Sequence, residues 1–204
     1  VRLTLVRHGR TASNTVLALD TAIPGASLDE IGQAQAVAVA PALARLEPDS
    51  LWASTLVRTQ QTAAPLARLT GLEPQLRDGI REIDAGDLEM VNEHKALEAY
   101  FDQMLAWALD DLDHRLPGGI SGHEFLERFD SVVHEIAASS QRAVLFSHGA
   151  AIRTWVSIRV TDPLGERFAG HPKLDNTAHI TIEGEPSAGW ELVDWVDAAQ
   201  IAAP

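Results

Sequence analysis

Two short apolar runs in this chain end in the same way. Leu3–Val6 of "LTLVRHGRTASN" stops at Arg7, His8, Gly9 and Arg10, and Ala143–Phe146 of "AVLFSHGAAIR" stops at Ser147, His148 and Gly149. A brief continuous apolar run bounded by turn-forming residues reads as a strand buried on both faces, the kind that parallel sheets use. The glycine after each histidine lets the backbone turn closely. In open α/β sheets, ligands bind beyond the carboxyl ends of the strands, where both histidines stand. If the two strands are neighbours, the two imidazoles share one crevice.

Helical patterns fill the space between strands. "SLDE" (Ser27–Glu30) has capping-box spacing and predicts a helix from about Leu28, kinked or ended by Pro41. "SLWAS" (Ser50–Ser54) reads as a second strand, followed by a helix from about Leu56 to Leu69 that Pro65 bends or interrupts, with Arg58 on its first turn. Glu93–Asp111 predicts a helix with Tyr100, Met104, Leu105 and Trp107 on or near one face, within a helical lid at about 91–116. "SGHE" (Ser121–Glu124) is a second capping-box signal, for a helix ending near Ala138, and a further helix follows from about Ala150. "AHITIE" (Ala178–Glu183) and "WELVDW" (Trp190–Trp195) alternate with period two across Gly184–Gly189 and predict a terminal hairpin or neighbouring edge strands; the alanine-rich tail after them should fray. The expected fold is α/β: a three-layer α/β/α sandwich with a mostly parallel central sheet.

A chain of 204 residues suits one domain, 1–204. The net charge of −13 opposes broad contact with nucleic acid or anionic lipid, and no apolar run approaches the length of a membrane span. With no cysteine and no signal-peptide pattern in the first residues, the expected compartment is the cytoplasm. Only 16 residues are Lys or Arg, so an anionic ligand needs a local basic pocket and the position of each arginine is informative.

A neutral imidazole is a good nucleophile toward phosphorus, and its ordinary pKa of ~6.5 leaves much of it deprotonated near neutrality. Arginine offers planar, bidentate donors to phosphate oxygens. Arg7 beside His8, and Arg58 at a helix start, therefore read as a phosphate clamp to which Asn14 adds a neutral donor. His94, His114, His123, His134, His171 and His179 show no metal-site spacing, so neither a metal nor another cofactor is expected. The five tryptophans read as core or interface packing, with Trp107 at the border of the site by way of the lid.

Four segments, "LVRHGRTASN", "ASTLVRTQQTA", Leu76–Glu89 with its "REIDAGDLE", and "VLFSHGAAIR", occur in the order and approximate spacing of the histidine phosphatase superfamily, the phosphoglycerate-mutase-like proteins. The resemblance runs from about Arg2 to Ile182 and is weakest between Val91 and Leu116. It implies that His8 is the nucleophile that becomes a phosphohistidine and that His148 holds the transferring group. Arg7, Arg58 and Asn14 would complete the phosphate pocket. Glu82 falls where the family's general acid lies, with Asp78, Asp84, Asp87 and Glu89 near it in sequence. Three departures bear on substrate contacts: Arg10 where relatives have glutamate, Ile120 in "GIS" where they show Gly-Glu-Ser, and Met90 where a glycine ends the turn after glutamate. An inward Arg10 would make the rim more basic and suit a more anionic substrate.

The resemblance thus implies a metal-independent phosphomonoester hydrolase, of the histidine acid phosphatase type, acting on a small phosphorylated substrate. The alternatives are a phosphoglycerate-mutase-type phosphotransferase and a non-catalytic phospho-ligand binding protein. The segment after Asn14 lacks the aromatic-rich run of the true mutases, and Lys95 and Arg115 are isolated, which disfavours the first. The retained histidines and arginines disfavour the second. A homodimer is the default for a soluble enzyme.

Overall fold

The computed structural model describes residues 1–161 and 174–197; the alanine-rich tail and His171 lie outside them. In chain order the elements are β1 (Arg2–Arg7), α1 (Ala12–Thr15), α2 (Glu30–Ala44), β2 (Ser50–Ser54), α3 (Val57–Thr70), β3 (Pro74–Arg77), α4 (His94–Ala108), α5 (Gly122–Ser139), β4 (Arg142–Ser147), α6 (Gly149–Arg159), β5 (Val160–Thr161), β6 (His179–Glu185) and β7 (Gly189–Val196). Single 3-10 turns at Asp78–Ile80 and Gly86–Leu88 punctuate the loop between β3 and α4.

The seven strands form one sheet in the order β3-β2-β4-β1-β6-β7-β5, in which β6 alone runs against the others. Alternation along the central strands divides the core. Val6, Leu51, Ala53, Val144 and Phe146 face Val39, Leu43, Ala63 and Leu66 of α2 and α3. Leu3, Leu5, Trp52, Ala143 and Leu145 join a larger cluster with residues of α4, α5 and α6. Within that cluster Trp107, Phe125, Phe129, Trp155 and Trp190 form a run of neighbouring rings at centroid spacings of 5.3–6.3 Å. The tryptophans of that run serve packing, and the architecture is the three-layer α/β/α sandwich expected.

Several local expectations change. The first capping box does not form: Asp29, not Ser27, caps α2, its carboxylate accepting from the Gly32 amide, because Leu28 is still held in an extended bridge to Thr11. Pro41 and Pro65 sit inside continuous helices. Leu105 is exposed, whereas Tyr100, Met104 and Trp107 on the same helix are buried. The second capping box, Ser121 with Glu124, forms as read. The terminal hairpin also forms, as β6 and β7.

Met90 adopts φ +61° and is 58% exposed. An L-residue in the left-handed region carries about 1–2 kcal/mol of strain that glycine avoids, offset in part by glycine's greater chain entropy. Met90→Gly is expected to raise stability by about 0.5–1 kcal/mol, read from the urea midpoint; an unchanged or lower midpoint would contradict the strain argument.

Candidate active site

The site is built where β1 and β4 lie side by side. Their parallel register pairs Arg7 with Ser147, so the next residues of the two strands, His8 and His148, emerge together with ring centroids 5.3 Å apart. The turn after β1 is tight: a Cβ on Gly9 would stand 2.5 Å from the Gly32 carbonyl oxygen, and one on Gly32 would stand 2.0 Å from that of Arg10. Those two glycines let α2 begin directly against the histidine loop.

His8 is 3% exposed. Its Nδ1 lies 2.7 Å from the Gly9 carbonyl oxygen, which can only accept, so Nδ1 carries the proton. Nε2 is then the lone-pair nitrogen, and it accepts from Arg58 Nε at 3.1 Å. Burial first, then the Arg58 and Arg7 charges, hold His8 well below the usual histidine pKa. The hydrogen bond to Gly9 thus fixes the tautomer and leaves a lone pair on Nε2.

Arg58 is itself buried in the first turn of α3, where Asp20 fixes it. Its Nη2 donates to the Asp20 carbonyl oxygen at 2.8 Å, and Nη1 stands 3.7 Å from the Asp20 carboxylate. Arg7 donates through Nη1 to the Leu174 carbonyl oxygen at 2.6 Å, while its buried Nε meets no acceptor among the described residues. Asn14 presents Oδ1 to the Thr11 amide and to Asn176 Nδ2, leaving its own amide hydrogens for another acceptor. Asn176 also donates to the His8 carbonyl oxygen at 2.9 Å, tying the strand end to Asn14.

Glu82 approaches from the loop after β3. Its Oε1 accepts from the Ile83 amide at 3.0 Å and the Ala151 amide at 2.8 Å, the latter in the first turn of α6; Oε2 has only the Ala150 amide, at 3.3 Å. Arg128 of α5 holds this loop by donating to the carbonyl oxygens of Gly79, Arg81 and Glu82. Burial brings the Arg128 guanidinium down to about 10. Of the other loop acids, Asp78 and Asp84 pair with Arg81, and Glu89 accepts from Thr21 and the Ala22 amide.

Arg7, His8, Thr11, Asn14, Ala18, Leu19, Asp20, Thr21, Arg58, Glu82 and Tyr100 line one cavity of about 80 Å³. It admits little more than a phosphoryl group. His148, whose ring lies beside that of His8, is not among these lining residues. A larger groove of about 500 Å³ between α4, α5 and α6 contains none of these groups, and Trp107 lines that groove instead of bordering the site. The expectation for Arg10 also fails: its Nε pairs with Asp29 at 2.8 Å, because the cap of α2 lies beside it, and it takes no part in the cavity lining. α4, the expected lid, contributes Tyr100, whose hydroxyl donates to the Ile83 carbonyl oxygen. Among the described residues, no group of three or more His, Cys, Asp or Glu side chains is arranged to hold a metal. Asp20, Thr21, Tyr100 and Asn176 carried no motif signal; only "LDN" just before the hairpin could have drawn attention to the last.

Both site histidines are neutral in the fold, since burial and the nearby arginines also push His148 well below the usual range. In the unfolded chain both titrate near ~6.5, so below that pH the unfolded state takes up protons that the folded state refuses. Stability contributed by the two rings is therefore full above ~6.5 and lost as the pH falls. Between about pH 7.5 and 5.5 the wild type should therefore lose more stability than the His8→Asn/His148→Asn double variant. Parallel pH slopes in urea unfolding would show that the rings are not held neutral.

A family model described as histidine phosphatase superfamily (branch 1) matches residues 3–198. A PE-PGRS family protein of Mycobacterium tuberculosis is 35% identical over 93% of this chain, which spans only 35% of that relative's length. A glucosyl-3-phosphoglycerate phosphatase of Mycolicibacterium vanbaalenii is 28% identical over 98% of this chain and 96% of its own. Among solved structures, a mycobacterial glucosyl-3-phosphoglycerate phosphatase complexed with VO3 superposes with a TM-score of 0.77 at 28% identity, covering 96% of this chain and 98% of that one. A mycobacterial hydrolase superposes with a TM-score of 0.79 at 27% identity, covering 96% and 97%. No helix of the described residues is long and apolar enough to cross a membrane.

Proposed function

The chain belongs to the histidine phosphatase superfamily, and from that membership and the geometry of His8 we propose that it hydrolyses phosphomonoesters through a phosphohistidine intermediate. The observation that carries the reading is the hydrogen-bond pattern of His8: with Nδ1 donating to Gly9, the Nε2 lone pair belongs to a ring that lines a phosphoryl-sized cavity between two arginines. Nε2 attacks phosphorus while the bond to the alkoxide breaks. Glu82, as a carboxylic acid, gives the alkoxide its proton. Water then attacks the phosphohistidine, the carboxylate of Glu82 takes the water's proton, and the N–P bond breaks to release inorganic phosphate.

Arg7 and Arg58 supply the positive charge that the phosphoryl oxygens need, the work a divalent ion does in metal-dependent phosphatases. Arg58 Nε, which meets His8 Nε2, is placed to meet oxygens on a phosphorus attached there. The phosphatase names of the relatives agree with this reading, and the substrate is a small phosphorylated molecule.

A phosphomonoester panel that includes glucosyl-3-phosphoglycerate, assayed in EDTA, tests the proposal. Release of inorganic phosphate undiminished by the chelator is the expected result. Interconversion of phosphoglycerates without phosphate release would favour the mutase alternative. Tight phosphate-ester binding without turnover would favour the non-catalytic one.

A further inference from the structure

Ser54 belongs to the sequence motif around Arg58, yet it does not line the phosphate cavity. It ends β2, is fully buried, and places Oγ 2.7 Å from His148 Nε2. We propose that Ser54 is a positioning residue for the second histidine: its hydroxyl donates to Nε2 and so holds His148 with its proton on Nδ1, as a donor to the transferring phosphoryl group. The proposal rests on the phosphatase reading only for the identity of the group that Nδ1 meets.

The assignment follows from counting protons. Thr59 Oγ1 lies 2.8 Å from the Leu56 carbonyl oxygen and 3.0 Å from that of Ser54, and both oxygens only accept, so its single proton is committed to them. The Leu56 amide donates to Ser54 Oγ at 3.2 Å. The proton of Ser54 itself then has two destinations, Thr59 Oγ1 at 3.1 Å and His148 Nε2 at 2.7 Å. The imidazole nitrogen is both nearer and the better acceptor. When Nε2 accepts, the neutral ring must carry its hydrogen on Nδ1.

His148 Nδ1 is buried and meets no hydrogen-bond partner among the described residues, in a ring beside that of His8. A buried N–H without an acceptor is costly to the fold, and an anionic phosphoryl oxygen is the partner that relieves it. The opposite tautomer would present a lone pair to those oxygens and repel them. A carbonyl at the place of Ser54 would impose that wrong tautomer, because it could only take the hydrogen from Nε2. The hydroxyl avoids it.

Nitrogen NMR of the full chain with isotopically labelled histidine, near neutral pH, reads the tautomer directly, the His148 signals being assigned by their loss in His148→Gln. Nδ1 is expected to be protonated and Nε2 bare. In Ser54→Ala the ring should move toward a mixture of tautomers, and the single-turnover rate of His8 phosphorylation should fall by roughly 10–100-fold. Ser54→Thr, which keeps the hydroxyl, should restore both. A wild-type His148 protonated on Nε2 overturns the proposal, with no variant and no turnover required. So does a folded Ser54→Ala that keeps the wild-type tautomer. A protein with the stated tautomer that hydrolyses no phosphomonoester would count instead against the phosphatase reading.

Discussion

His8→Ala is expected to lower phosphomonoester hydrolysis by roughly 10⁴–10⁶-fold, the scale on which removal of a nucleophile acts. The size follows from what the fold holds ready around this one ring. Gly9 fixes the tautomer, the arginines and burial keep it neutral, and the cavity leaves room for phosphorus and its oxygens. The hydroxyls of the lining are poor replacements: Tyr100 is buried, with its phenol pushed well above the usual value chiefly by burial, and the Thr21 hydroxyl is held by the Glu89 carboxylate. The chemical signature is as telling as the rate. Rapid quenching of the wild type with substrate should trap phosphate that is stable to base and labile to acid, as a phosphorus–nitrogen bond to imidazole is, and the variant should trap none. Arg7 and Arg58 survive the substitution, so inorganic phosphate should still bind. Wild-type hydrolysis by His8→Ala would end the phosphohistidine reading.

Glu82→Gln should slow hydrolysis of an ester with a poor alkoxide leaving group by roughly 10²–10⁴-fold. The two carboxyl oxygens are not equivalent. Oε1 accepts two amide hydrogens, from Ile83 and Ala151, at 2.8–3.0 Å, whereas Oε2 has one contact of 3.3 Å and is the atom available to carry the proton to the leaving group. Glutamine keeps an oxygen for the first pair of bonds and replaces only the proton carrier, so the loop should hold its shape, supported by Arg128. p-Nitrophenyl phosphate needs little protonation of its leaving group, so formation of the phosphoenzyme from it should suffer far less in a rapid-quench burst. Its steady-state turnover can still be slow, since in the proposed mechanism the same carboxylate activates water in the second step. Equal damage to the burst with both esters would remove Glu82 from the acid role. Asp78 and Asp84 are poor replacements, because salt bridges to Arg81 engage both.

The central strands, the long helices and the two histidines were legible in the sequence because each has a local cause. Apolar runs, 3.6-residue periodicity and a Ser-x-x-Glu cap act within a few residues of themselves. β3 and β5, at four and two residues, are too short to carry a periodic signal in the sequence. The first cap was misplaced by two residues because Ser27 and Asp29 are both good caps, and a bridge from Leu28 to Thr11, distant in sequence, decided between them. Arg10 shows the same limit: its charge was visible, but its partner Asp29 lies across a chain reversal.

Motif and spacing along the chain point to the groups proposed for phosphoryl chemistry: His8, His148, Arg7, Arg58 and an acid in the Glu82 loop. Tertiary structure decided that β4 inserts between β1 and β2, and this alone brings the two histidines within 5.3 Å. It also decided which acid lines the cavity, by docking Glu82 on the first amides of α6 under the grip of Arg128. It supplied Asp20, Asn176 and Ser54 as the partners that orient Arg58, Asn14 and His148. The physical reason is one of range: torsional preference and hydrophobic period act along the chain, whereas hydrogen-bond partnership and desolvation depend on which segments the sheet order makes neighbours.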